Sequence, residues 1–120
     1  MLACCNIDLD HFKQINDNYG HDAGDEVLVV TAKRLSSRCR PEDTIAPLGG
    51  DEFAIITPRT NARSLAALVT RLSRSFDEPH LVHGASLRIG CSIGTHLAAA
   101  GELPAEALSE ADLALYQIKR

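Results

Sequence analysis

The chain has 120 residues, 45% of them hydrophobic and 23% charged, with a formal net charge of −4. That length and balance suit one soluble globular domain and leave no apolar run near the roughly 18 residues a bilayer span needs, so membrane contact by this segment is not expected. The acidic balance excludes a non-specific DNA or RNA binder, which needs a basic field to neutralise phosphates, and any phosphate ligand would need a metal to help hold it.

The first apolar run, Leu2 to Ile7, predicts a strand covered on both faces and therefore central in a sheet. Asp8-Leu9-Asp10 follows, then a short polar helix over His11 to Asn18 and a turn-rich stretch from Tyr19 to Gly24. A helix is predicted from about Asp25, with Val27, Leu28, Thr31, Leu35 and Cys39 at helical spacing and Pro41 ending it. Thr44 to Leu48 and Glu52 to Thr57 make a hairpin with Gly49-Gly50-Asp51 at its tip.

Leu65, Leu68, Val69, Leu72 and Phe76 mark an amphipathic helix that stops before Pro79. Leu81-Val82 and a long alternating strand from Leu87 to Ile93 predict a second hairpin, joined through His83-Gly84. Leu108, Ala111, Leu115 and Ile118 line one face of a closing helix. The order predicts an α+β domain over residues 1–120: a ferredoxin-like βαββαβ palm with a mixed, mainly antiparallel sheet covered by helices.

Four cysteines at positions 4, 5, 39 and 91 have neither zinc-ligand nor disulfide spacing, so buried thiols are expected. His80, His83 and His96 also lack ligand spacing and are expected at the surface or in turns. The chemistry concentrates elsewhere. Asp8 and Asp10 end the first strand, while Asp51 and Glu52 sit at the hairpin tip, and in a βαββαβ sheet those two ends lie together. Mg²⁺ takes one or two protein carboxylates and completes its octahedron with phosphate and water oxygens, which suits such a convergence. Gly49 and Gly50, having no Cβ, let main chain approach a phosphate. Asn16 and Asp25 could read a purine edge, and a carboxylate matches guanine's paired N–H donors.

The run Asp8-Leu9-Asp10-His11-Phe12-Lys13-Gln14-Ile15-Asn16-Asp17 with Gly20-His21-Asp22-Ala23-Gly24-Asp25 resembles the DxDxFKxxND…GHxxGD signature of GGDEF diguanylate cyclases. Gly49-Gly50-Asp51-Glu52-Phe53 is the family's pentapeptide, Ser92-Ile93-Gly94 is similar to its SxG strand, and Ala111 to Tyr116 with Lys119 resembles its ADxALYxxK helix.

The resemblance implies a bacterial signalling enzyme that condenses two GTP into cyclic di-GMP and two pyrophosphates, with Mg²⁺ or Mn²⁺ as cofactor. It implies metal ligation by Asp8, Asp51, Glu52 and the Leu9 carbonyl, with Gly49 and Gly50 beside them. Asn16 and Asp25 would read guanine, Lys13 and Lys119 would hold phosphates, and main-chain N–H groups at His11 and Phe12 would face them. One domain holds one GTP, so turnover would need a homodimer facing across a two-fold axis. Arg40 and Asp43 match the family's inhibitory RxxD site for cyclic di-GMP.

The match also has departures. Pro47 stands where many members have arginine, and the family's N-terminal DxLTGLxNRR segment and its arginine one turn after Lys119 lie outside the sequence, as in a piece of a longer protein. The wording of the last helix resembles GGDEF domains joined to EAL phosphodiesterase domains. The second reading is thus a catalytically weak module that binds GTP or cyclic di-GMP and controls such a partner. Either would be cytoplasmic, with a parent protein that could be membrane-anchored.

Overall fold

The computed structural model describes residues 1–119, as β1 (Ala3–Leu9), α1 (Phe12–Tyr19), α2 (His21–Ser37), β2 (Thr44–Gly49), β3 (Glu52–Thr57), α3 (Ala62–Arg74), β4 (His80–Val82), β5 (Ala85–Leu87), β6 (Cys91–Leu97) and α4 (Pro104–Lys119). Four strands form one sheet in the order β2-β3-β1-β6, and every ladder in it is antiparallel. The α+β palm expected from the element order is what forms, with β1 in an inner position, but its sheet is wholly antiparallel among the described residues rather than mixed.

Alternation along β1 explains both layers. Ala3, Cys5, Ile7 and Leu9 join Val27 and Leu35 of α2 and Leu65, Leu68 and Leu72 of α3 in the larger core. Cys4 packs on the opposite face against Ala107 and Ala111 of α4, and Asn6 Nδ2 donates to the Leu108 carbonyl at 3.5 Å. Even-numbered residues of β1 thus face α4, and Asp8 is the next of them. With both faces covered, a continuous apolar run is what the strand requires.

Several details differ from expectation: α2 ends at Ser37, before Cys39, and α3 at Arg74, before Phe76. Helix α2 starts at His21 rather than near Asp25, because Gly20 alone, at φ 92°, turns the chain out of α1, and Asp22 in the first turn complements the helix dipole. The strand expected over Leu87 to Ile93 is two strands in two sheets. Leu87 and Ile89 remain buried through the break, which preserved the alternating pattern, while the Gly90 carbonyl turns to accept the Asp10 N–H at 2.9 Å. Ile118 is 58% exposed, since the buried face of α4 runs Ala107, Ala111, Leu115 and the helix then passes the end of the sheet.

His80 corrects the surface assignment. It is fully buried, with Nε2 3.0 Å from the Thr31 hydroxyl and Nδ1 3.5 Å from Arg34 Nη1. Arg34 also donates to the carbonyls of Ser75, Glu78 and Pro79, pinning the segment after α3 onto α2. His83 is exposed in the turn, at φ 48°, and His96 is half-buried against Glu102 at 2.8 Å. The cysteines are free, Cys4 and Cys5 buried and Cys39 and Cys91 partly so. Among the described residues no helix is long and apolar enough to cross a membrane.

Candidate functional site

The site forms where β1 ends against the β2–β3 tip. Asp8 stands directly opposite Glu52 in the ladder, and the Leu9 N–H donates to the Asp51 carbonyl at 3.2 Å. Register therefore brings Asp8, Asp51 and Glu52 to one place. Gly49 and Gly50 turn the tip with φ of 109° and 55°, and a Cβ at either would meet nothing within 4 Å, so conformation rather than space calls for glycine there.

From the other layer, α4 brings Lys119. Its Nζ lies 3.0 Å from Asp8 Oδ2 and 3.3 Å from Asp10 Oδ1. Ser92 of β6 donates its hydroxyl to the same Asp10 Oδ1 at 2.8 Å, fixing the second carboxylate. Asp112 and Tyr116 line the side of this cleft with Asp8, Glu52 and Lys119. Gly94 makes the approach of α4 possible, since a Cβ there would stand 2.3 Å from the Leu115 nitrogen and 2.5 Å from the Ala111 carbonyl oxygen.

The electrostatics are those of crowded acids. Burial, then the neighbouring Asp8 carboxylate, holds the Asp51 carboxyl above its usual range. Glu52 is pushed up by burial and by Asp8, Asp112 and Asp51 in turn. Burial alone would lower the Lys119 ammonium, but the Asp8 and Asp10 carboxylates outweigh it and the net shift is upward. Asp8 Oδ1 is shielded from solvent and has no hydrogen-bond partner among the described residues.

An orphaned carboxylate oxygen amid mutually repelling acids is a donor set that a divalent cation satisfies. No group of three or more described His, Cys, Asp or Glu side chains is placed to hold a metal ion by itself, so phosphate and water oxygens would have to complete the coordination. An open set of that kind suits Mg²⁺, which keeps positions for phosphate and water.

The remaining expected residues fall into two places. Asn16 on α1 lies over Gly24, the residue before Asp25 on α2, where a Cβ would stand 1.7 Å from its Oδ1. Phe12 packs its ring against the same glycine and the core, while His11, at φ 58°, and Lys13 are exposed at the start of α1. The first N–H groups of that helix have no intrahelical acceptors. Asp10, His11, Ser92, Ile118 and Lys119 line a polar cleft of about 320 Å³ beside them. An apolar cleft of about 320 Å³ lies under the glycine tip, bordered by Leu28, Ile45, Pro47 and Phe53 among others. Pro47 is on the edge strand, where its missing N–H is tolerated, next to a register shift before Gly49.

Arg40 and Asp43 lie at the far end of the β2–β3 hairpin from this site. They close a turn on themselves: the Arg40 N–H donates to Asp43 Oδ2 at 2.9 Å, and the Asp43 N–H to the Arg40 carbonyl at 3.0 Å. Sequence reasoning gave no role to Ser92 or Asp112. Ser92 stood in a recognised motif, but only the fold shows that its hydroxyl reaches Asp10.

The family model for "Diguanylate cyclase, GGDEF domain" matches residues 1–120. Diguanylate cyclase DgcP of Pseudomonas aeruginosa is 40% identical over 115 residues, covering 95% of this chain and 17% of DgcP. Cyclic di-GMP phosphodiesterase NbdA of the same organism is 40% identical over 119 residues, covering 98% of this chain and 15% of NbdA. The crystal structure of the GGDEF domain of DgcB from Caulobacter crescentus, in complex with c-di-GMP, superposes with a TM-score of 0.91 at 31% identity, covering 99% of this chain and 72% of that one. The chain thus spans less than a fifth of the length of these curated relatives. Matched over its whole length, it belongs to the GGDEF domain family of diguanylate cyclases.

Proposed function

We propose that the chain is one half-site of a diguanylate cyclase, binding one GTP and joining it to a GTP held by a second copy. The 3′-hydroxyl of each nucleotide attacks the α-phosphorus of the other; a P–O bond forms there, the bond to the β-phosphate oxygen breaks, and pyrophosphate leaves. The carrying observation is the convergence of Asp8, Asp51 and Glu52 beside the glycine tip, with Lys119 across from them.

Asp8, Asp51 and Glu52, with the Leu9 carbonyl, would hold Mg²⁺ or Mn²⁺, which lowers the pKa of the attacking hydroxyl and steadies charge on the leaving oxygens. Gly49 and Gly50 let main chain approach the triphosphate. Asn16 and Asp25 offer an amide and a carboxylate to guanine, and the open N–H groups at His11 and Phe12, with Lys13 and Lys119, face phosphate. Arg40 and Asp43 would form the product site; DgcB, a relative, was crystallised with c-di-GMP. Homodimer formation and a cytoplasmic setting belong to the same reading.

Incubation with GTP and Mg²⁺, analysed by mass, tests this. Cyclic di-GMP from wild type and none from Asp51→Asn is expected, with initial rate rising as the square of protein concentration when dilute. GTP binding without product would instead favour a regulatory module, a reading supported by Pro47 and by the likeness to NbdA, a cyclic di-GMP phosphodiesterase.

A further inference from the structure

Asp10 is turned away from the carboxylates that converge on the glycine tip. Strand β1 lies between β3 and β6, with Glu52 on the β3 side and Asp51 just before it. Two residues past Asp8, Asp10 bonds to the β6 side instead. Its N–H donates to the Gly90 carbonyl at 2.9 Å, and its Oδ1 accepts the Ser92 hydroxyl at 2.8 Å. The space around this carboxylate is closed as well. A Cβ on Gly90 would stand 3.1 Å from Asp10 Oδ2, and Gly90 has no positive φ, so room rather than conformation calls for glycine there.

The same Oδ1 lies 3.3 Å from Lys119 Nζ, whose other partner is Asp8 Oδ2 at 3.0 Å. Lys119 is thus shared between a carboxylate expected to hold metal and one that β6 holds fixed. When Asp8 turns to a cation, Asp10 remains to keep the ammonium in place. Asp10, Ser92 and Lys119 line the polar cleft of about 320 Å³ that also contains His11, at the N-terminus of α1. An ammonium kept there adds a point charge to the open N–H groups of the first helical turn, where an anion is well received.

We infer that Asp10 is a positioning residue rather than a metal ligand: fixed by Ser92, it holds Lys119 at the phosphate cleft and acts on nucleotide binding through the lysine. This rests on the reading of Asp8 and Lys119 proposed above. The two roles a carboxylate could play at this cleft have opposite signs. Acting alone, it repels phosphate, and removing its charge would tighten binding. Acting through Lys119, its loss frees the ammonium to move wholly onto Asp8 or out to solvent, and binding weakens.

Fluorescent GTP titration in Mg²⁺ tests this with Asp10→Asn, Ser92→Ala and Lys119→Gln, and with each of the first two combined with Lys119→Gln; thermal unfolding reports whether each variant folds. Asparagine keeps an oxygen for the Ser92 hydroxyl but not the charge. Asp10→Asn is expected to weaken GTP binding about tenfold, the loss of one charge-assisted bond, and Ser92→Ala about threefold. In the Lys119→Gln background neither should change binding by more than about twofold, because the residue they act through is gone. Equal weakening in both backgrounds would give Asp10 a contact of its own and overturn the inference, as would unchanged or tighter binding by Asp10→Asn alone. If Asp10→Asn does not fold, the Ser92→Ala comparison across the two backgrounds decides in the same way. If wild type itself fails to bind GTP, the GTP reading of the site falls and takes this inference with it.

Discussion

Lys119 Nζ lies 3.0 Å from Asp8 Oδ2, so the last turn of α4 supplies the cation nearest the carboxylate expected to hold metal. Burial first, and then the neighbouring carboxylates, raise both Asp51 and Glu52 nearby, and the lysine offsets part of the shift. A divalent cation entering the site meets Lys119 as a competitor for Asp8. Lys119→Gln is therefore expected to bind Mn²⁺ about tenfold more tightly than wild type without nucleotide, since one like charge at this distance is worth about 1–4 kcal/mol outside the dry interior. Electron paramagnetic resonance of free Mn²⁺ measures this, and unchanged or weaker binding would show that the lysine does not compete.

Gly24 allows the proposed guanine-reading role of Asn16 to be tested apart from the stability of the fold. A Cβ there strikes the end of the Asn16 side chain, at 1.7 Å from Oδ1, and not backbone. The Asn16 amide can swing away, taking its donors and acceptor from the position proposed for reading guanine. Gly24→Ala is expected to weaken GTP binding about tenfold, the loss of roughly one good hydrogen bond, while moving Tm by only a few degrees because helix propensity improves. Fluorescent GTP titration and thermal unfolding, run together, distinguish this from general damage, which would lower both.

The layer order and the site were legible for different reasons. Period and turn chemistry located β1, the β2–β3 hairpin and α3 because each is covered by the core its pattern points to. The carboxylate convergence followed from topology once β1 was recognised as central. Patterning could not locate the break at Arg88 to Gly90, because Leu87, Ile89 and Ile93 keep one alternation while the hydrogen bonds change sheets. The burial of His80 was hidden in the same way. Its partners Thr31 and Arg34 are more than 40 residues distant, and no local spacing announces them.

Gly94 gives a sharper test of packing. Its added Cβ would meet Leu115 N at 2.3 Å and Ala111 O at 2.5 Å, both backbone atoms of α4 that cannot rotate aside. Gly94→Ala must push α4 off the sheet, at a cost of about 3 kcal/mol, and lower Tm by roughly 10 °C. The same displacement moves Lys119 away from Asp8, so nucleotide binding is expected to fall with stability. Differential scanning calorimetry checks the first effect; an unchanged Tm would mean that α4 can ride away from β6 at little cost.

His80 links acidity to folding. Burial first, and the Arg34 charge second, lower its pKa from 6.5 to about 4. Arg34 can only donate, so Nδ1 accepts and Nε2–H faces the Thr31 hydroxyl; the Phe76 ring, 6.0 Å away, is uncharged. A proton on Nδ1 would meet the guanidinium. The unfolded chain takes up that proton near pH 6.5 whereas the folded chain resists it down to about 4, so the stability present above pH 6.5 is lost as pH falls toward 4. Each whole step of pH across that window removes roughly 1.4 kcal/mol, so the loss reaches about 3 kcal/mol by about pH 4. Urea unfolding at pH 7 and about pH 4.5 measures most of it, and His80→Gln, which keeps polar atoms but cannot titrate, is expected to remove that contribution from the pH dependence. A variant whose stability falls as steeply as wild type over this range would assign the acid sensitivity to groups other than His80.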